Sequence, residues 1–164
     1  MGTLMIEVVR ARYDDPTHAV ALVELMDTYS RDPAGGGKAL SSFTRINLVS
    51  ALAARPFIFS VLAFDDATPV GLVNAIEGFS SFACRPLVNV HDVVVAPSHR
   101  GRGIAARMFE QVEVLARARG ACKLTLEVLQ GNTSARSVYE KLGFTDYQLD
   151  PAMGHAQFLH KWLD

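Results

Sequence analysis

A chain of 164 residues, 49% of them apolar, is long enough to bury one hydrophobic core, and a single domain over residues 1–164 is expected. Its 16 Lys and Arg are balanced by 17 Asp and Glu and lie scattered along the sequence, so neither a nucleic-acid partner nor an anionic membrane surface is indicated. No apolar run reaches the ~18 residues that would cross a bilayer. Met1 to Arg10 lacks the basic start and apolar core of a secretory segment. Ile6 stands where a myristoylation signal carries Ser or Thr. A cytoplasmic protein with Cys84 and Cys122 reduced is therefore expected.

Leu4 to Val9 reads as a first strand, and Asp14-Asp15-Pro16 supplies a cap and a proline for the start of a helix. His18, Leu22, Leu25, Met26 and Tyr29 form its inward stripe, with His18 expected at the surface. Gly35-Gly36-Gly37 must be loop. A second helix follows from about Ser41 to before Pro56, with Phe43, Ile46, Val49 and Ala53 expected to be buried. Phe57 to Phe64 and Val70 to Glu77 predict a hairpin about the turn Asp65 to Pro69. A longer connection, Gly78 to Pro86, is expected to tuck Phe79 and Phe82 beneath itself before Leu87 to Val95 forms the central strand.

The stretch from Val88 to Ala106 joins that strand to a glycine-rich helix start, where unpaired amides and the helix dipole converge on one point suited to phosphate. Ile104, Met108, Phe109, Val112, Leu115 and Ala116 recur at helical spacing behind it. No Lys or hydroxyl residue follows Gly103, which rules out a P-loop. Gly101, Gly103 and Ala106 do spell the dinucleotide pattern G-x-G-x-x-A, but the acidic residue that should stand about 20 positions later is missing. Further on, Lys123 to Leu129 reads as a strand. Asn132 can cap a helix bearing Ala135, Val138, Tyr139 and Leu142, with Gly143 as its stop. Phe144 to Leu149 and Ala156 to Trp162 predict a closing hairpin around Asp150 to Gly154.

Arg100-Gly101-Arg102-Gly103-Ile104-Ala105 reads R-x-x-G-x-A, and Asn132 to Phe144 reads N-x-x-A-x-x-x-Y-x-K-x-G-F. With the strand before them, these two ordered stretches resemble the signatures of the GNAT superfamily of acyl-CoA N-acyltransferases. The resemblance implies an α/β fold with a mixed, mostly antiparallel central sheet of six to seven strands flanked by about four helices. It implies acetyl-CoA as co-substrate, no metal, and a small-molecule amine as acceptor, and it leaves a homodimer open. Its pyrophosphate site would fall on Arg100, Gly101, Arg102, Gly103, Ile104 and Ala105, with Asn132 and Arg136 as further contacts. Free backbone groups near Val93, Val94 and Val95 would serve the carbonyl, and Tyr139 would protonate the departing thiolate.

An amine acceptor must also lose a proton, and His91, Asp92, Glu77 and Glu127 are the candidates. Alternation along the strand sets His91 with Asn89, Val93 and Val95 and opposite Asp92, which favours His91 as the base with Glu77 as competitor. A catalytically weak, regulatory acyl-CoA-binding module is the alternative reading, separable by whether thiol is released.

Overall fold

The computed structural model describes residues 5–163, so the expected start of the first strand at Leu4 and the Met1-Gly2 terminus lie outside the described residues. The chain divides into two units, residues 1–126 and 127–164. The first begins with β1 (Ile6–Arg10), α1 (Pro16–Arg31) and α2 (Ser42–Ala53). The strands β2 (Ile58–Asp65), β3 (Thr68–Ser80) and β4 (Arg85–Val95) follow, and then α3 (Ile104–Ala118) and β5 (Leu124–Leu126). One sheet in the order β1-β2-β3-β4-β5 results, antiparallel except for the last pair, which is parallel.

Local signals explain the helices. Asp15 caps α1 by accepting from the amides of Thr17 and His18, with Pro16 opening the helix. Ser41 caps α2 through the Thr44 amide. Ala21, Leu22 and Leu25 of α1 are buried against Leu62, Phe64, Leu72 and Val94 on one sheet face. On the other face, Ile104, Met108, Phe109, Val112 and Ala116 bury the stripe of α3, which packs across β1 to β4. Arg107 ties α3 to the edge of the sheet by donating to the Ile6 carbonyl at 2.7 Å.

Several expectations need correction. The sheet has five strands among the described residues, not six to seven. β5 is confined to Leu124–Leu126, where β4 offers a partner. The closing hairpin does not form: residues 127–163 hold α4 (Thr133–Lys141) and a single 3-10 turn at Pro151–Met153. Ala156 N donates to Tyr147 O at 3.4 Å, a long backbone bond between the two expected strands. Leu149, Phe158 and Leu159 are exposed, so the segment has no buried apolar face to stabilise a ladder.

In α2, Phe43 and Ile46 face outward while Leu48, Val49 and Leu52 pack on the core, so the helix is rotated from the expected stripe. His18 is tied down rather than free at the surface: its Nδ1 accepts from the Arg12 amide at 3.0 Å and its ring stacks on Phe64. The supposed long connection after Glu77 is mostly strand, and β3 and β4 are joined by Ser81 to Cys84, which leaves Phe82 98% exposed.

Gly71 of β3 leaves room for Met108 of α3. A Cβ there would lie 2.8 Å from Met108 Sδ and 2.9 Å from Met108 Cε. Gly71→Val is expected to destabilise the protein by about 1–3 kcal/mol, read as a lower urea midpoint at unchanged slope. Gly71→Ala should cost less, because the Met108 thioether can rotate away.

Candidate active site

The turn between β4 and α3 builds the anion cradle. A 3-10 turn, Pro97–His99, is pinned to the β2–β3 corner, with His99 Nε2 at 3.1 Å from Asp65 Oδ2. The chain then passes through Gly101 and Gly103, both at φ 74°, a left-handed conformation that an L side chain adopts only under strain. Within α3 the first hydrogen bond is Arg107 N to Gly103 O, so the amides of Ile104, Ala105 and Ala106 have no acceptor inside the helix, and no side chain caps them. Beside both glycines the space is open, with nothing within 4 Å of a built Cβ. Orphan amides at a dipole's positive end, reachable through open space, fit a pyrophosphate.

Arg100 and Arg102 were expected to add charge there. Arg102 is exposed. Arg100 instead turns back, its Nε donating to Val95 O at 3.1 Å and its Nη2 to Asp32 Oδ2 at 3.2 Å. Asp32 also caps the 3-10 turn Pro33–Gly35 through the Ala34 amide, and that bond, followed by Arg100, holds its carboxyl below the usual range. One arginine thus joins the cradle to the glycine loop.

β4 changes character at His91. The register pairs Asn74 with Asp92 and Ala75 with Val90, which leaves His91 as the extra residue of a β-bulge. The bulge overturns the alternation read from sequence. Asn89 pairs with Ile76 and so shares the α1 face with Asn74 and Asp92, whereas Val93 and Val95 face α3. His91 follows Asn89, with Nδ1 3.4 Å from its Oδ1.

Past the bulge, Ala96 N donates to Val70 O, so the alternating ladder turns the backbone groups of Val94 toward β3 and those of Val93 and Val95 to the opposite edge. β5 pairs only with Val88 to Val90, so Val93 and Val95 have no strand beside them on that edge. Of the three valines, these two present backbone there, and the Val95 carbonyl accepts from Arg100.

Glu77 lies on the other side. It pairs with Val88, on the α3 face, and its Oε2 accepts from Arg119 Nη1 at 2.8 Å while the Arg119 guanidinium sits over the Phe59 ring at 4.8 Å. The fold thus commits Glu77 to an ion pair and keeps it off the face that carries Asp92.

What the sequence reading missed is a polar row inside an apolar layer. Ser60, Asn74 and Asp92 sit directly opposite one another on β2, β3 and β4. Ser60 is fully buried and Asn74 is 4% exposed. Tyr13 OH lies 2.9 Å from Ser60 Oγ, Ser60 Oγ donates to Asn74 Oδ1 at 2.6 Å, and Asn74 Nδ2 donates to Asp92 Oδ2 at 3.0 Å. A hydrogen bond contributes about 1 kcal/mol net, against about 1.5–3 for burying Val or Leu in the same place. Stability does not explain the row. Its signal in the sequence was a Ser and an Asn inside runs otherwise written in apolar letters.

In the second unit, Asn132 caps α4, accepting from the Ala135 amide at 3.2 Å. Arg136 and Tyr139 are half-buried, and the Tyr139 ring meets Phe144 edge-on at 6.0 Å.

Residues 22–144 match the family described as "Acetyltransferase (GNAT) family". The chain belongs to that family. Streptothricin acetyltransferase of Streptomyces lavendulae is 36% identical over 87 residues, which make up 51% of this chain and 46% of that protein. Thialysine N-epsilon-acetyltransferase of Bos taurus is 34% identical over 59 residues, 36% of this chain and 35% of that one. The match therefore spans less than half the length of both relatives. Among solved structures, ribosomal-protein-alanine N-acetyltransferase from Brucella melitensis biovar Abortus 2308 has a TM-score of 0.75 at 16% identity, covering 96% of this chain and 99% of that one. AAC(6')-Iy, in complex with the bisubstrate analog CoA-S-monomethyl-acetylneamine, has a TM-score of 0.76 at 18% identity, covering 96% and 98%. These likenesses show a GNAT fold.

The conformation of Gly103 can be checked apart from any ligand. Gly103→Ala is expected to cost about 1–2 kcal/mol in denaturant unfolding because of its positive φ, and Gly103→Asn less, since Asn tolerates the left-handed region.

Proposed function

We propose that the protein transfers an acetyl group from acetyl-CoA to a primary amine of a small molecule by direct attack. The observation that carries this reading is the conjunction, on one strand-turn-helix, of a cradle of orphan amides at Ile104 to Ala106 with the strand-free edge at Val93 and Val95. An anion held by the first and an acyl carbonyl lying along the second is the requirement of a thioester donor. GNAT membership supports it, and the names of the similar proteins, streptothricin acetyltransferase among them, support an amine acceptor.

In this reading the amides from Gly101 to Ala105 hold the pyrophosphate, with Arg102 adding charge. Asn132 keeps α4 capped, and Arg136 contributes a further CoA contact. His91, the bulged residue beside Asp92, takes the proton from the acceptor. The acetyl carbon gains the amine nitrogen and loses the sulfur, and the Tyr139 hydroxyl gives its proton to the leaving thiolate.

Tyr139→Phe tests the last step. The ring and its contact with Phe144 remain while the hydroxyl goes, so kcat is expected to fall by roughly 10²–10⁴ with little change in unfolding midpoint. Free CoA is assayed with a thiol reagent under conditions where chemistry limits the rate. Unchanged turnover in the folded variant would assign Tyr139 to packing.

A further inference from the structure

The row Tyr13, Ser60, Asn74, Asp92 has a direction. A serine hydroxyl carries one proton, and Ser60 spends it on Asn74 Oδ1, so toward Tyr13 it can only accept and the phenol must donate. Burial pushes the Tyr13 phenol up, which keeps that proton in place. With its oxygen taken by Ser60, the Asn74 amide turns its NH₂ group to Asp92 Oδ2 at 3.0 Å and toward Met26 Sδ at 3.5 Å. The opposite amide orientation would set a carbonyl against a carboxylate. Every proton in the chain therefore points one way, and the chain ends on a carboxylate that accepts.

That carboxylate is half-buried, and among the described residues no basic side chain lies within ion-pair distance of it. Other half-buried carboxylates of the sheet unit differ in this respect, among them Glu77 with Arg119, Asp27 with Arg31 and Arg45, and Asp32 with Arg100. Burial pushes the Tyr29 phenol of α1 up, and the nearby Asp92 carboxylate adds to that, so the phenol is held protonated. Asp92 is thus aligned from below, faced by a neutral phenol, and adjacent in sequence to the bulged His91.

We propose that Asp92 binds the acceptor as a cation, taking an N–H of its ammonium or of a neighbouring charged amine, and that Tyr13, Ser60 and Asn74 are positioning residues that fix the carboxylate. The acceptor class that follows is an alkylamine charged at neutral pH, ahead of neutral aromatic amines. This rests on the acyl-transfer reading above and names the chemistry of its second substrate.

The probes are spermidine, kanamycin and L-lysine methyl ester as charged amines, and aniline as a neutral one. Each is titrated by calorimetry against the full chain saturated with CoA, so that binding is read without turnover, and each is then assayed with acetyl-CoA. In the wild type at least one charged amine is expected to bind while aniline does not. Asp92→Asn should weaken that amine about tenfold to a hundredfold and leave CoA affinity unchanged. Ser60→Ala and Tyr13→Phe, which remove one hydroxyl each, should weaken it roughly threefold to tenfold as single changes. In the Asp92→Asn background they should add nothing, because their effect passes through that carboxylate.

Binding of no charged amine, or unchanged affinity in Asp92→Asn, overturns the proposal. Losses from Ser60→Ala that persist undiminished beside Asp92→Asn reduce the row to structure and overturn the positioning role. The two readings part cleanly. Amine binding through Asp92 without acetyl transfer would fail the proposed function alone, whereas acetylation of an amine indifferent to Asp92 would fail this inference alone.

Discussion

Beyond Val90, β4 is held by a neighbouring strand on one edge only, and the rest of the candidate site depends on that half-satisfied strand. A parallel partner three residues long leaves the N–H and C=O groups of Val93 and Val95 without a ladder. The same strand carries the bulge at His91, and it ends in the turn that opens α3. Unpaired backbone, re-aimed side chains and orphan helix amides thus follow one another within a few residues. Apart from the Val95 carbonyl, which accepts from Arg100, these are groups the fold leaves available, and together they make a site that uses few special side chains.

The two faces of the sheet are employed differently. Under α3 the layer is apolar and closely approached, with Gly71 giving way to Met108 and Glu77 neutralised by Arg119 at the rim. Under α1 the same strands carry Leu62, Leu72 and Val94 beside Ser60, Asn74 and Asp92. A buried polar row is tolerable only because every member is matched, and no buried side-chain nitrogen or oxygen among the described residues lacks a partner. Such a row holds one geometry firmly, since any side chain that moves leaves another unsatisfied.

Much of this was legible in the sequence because it rests on local chemistry. Asp15 before Pro16, Ser41, Asn132 and the paired glycines 101 and 103 each act within a turn or two, and the helices begin where these residues said they would. What depended on partners across space was less legible. The bulge at His91 shows only in the register with Asn74 and Ala75, and it reverses the faces that simple alternation assigns. Phe43 and Ile46 have the spacing of a buried stripe, yet the neighbours that decide which side of α2 turns inward lie on α1 and β2. The last apolar stretch looks like strands, but alternation supplies no edge for them to pair with.

The strand order has a bearing on how the chain finds this arrangement. β2, β3 and β4 are consecutive in sequence and in space, joined by Asp66-Ala67 and by Ser81 to Cys84, so their pairing closes only short loops. β1 reaches β2 across both α1 and α2, and β5 reaches β4 across α3, each at a larger entropic cost of closure. Ser60, Asn74 and Asp92 all belong to the meander that is least costly to form. The carboxylate and two of its three supports can therefore come together before either edge of the sheet is in place, and Tyr13 joins them only when β1 and the start of α1 dock.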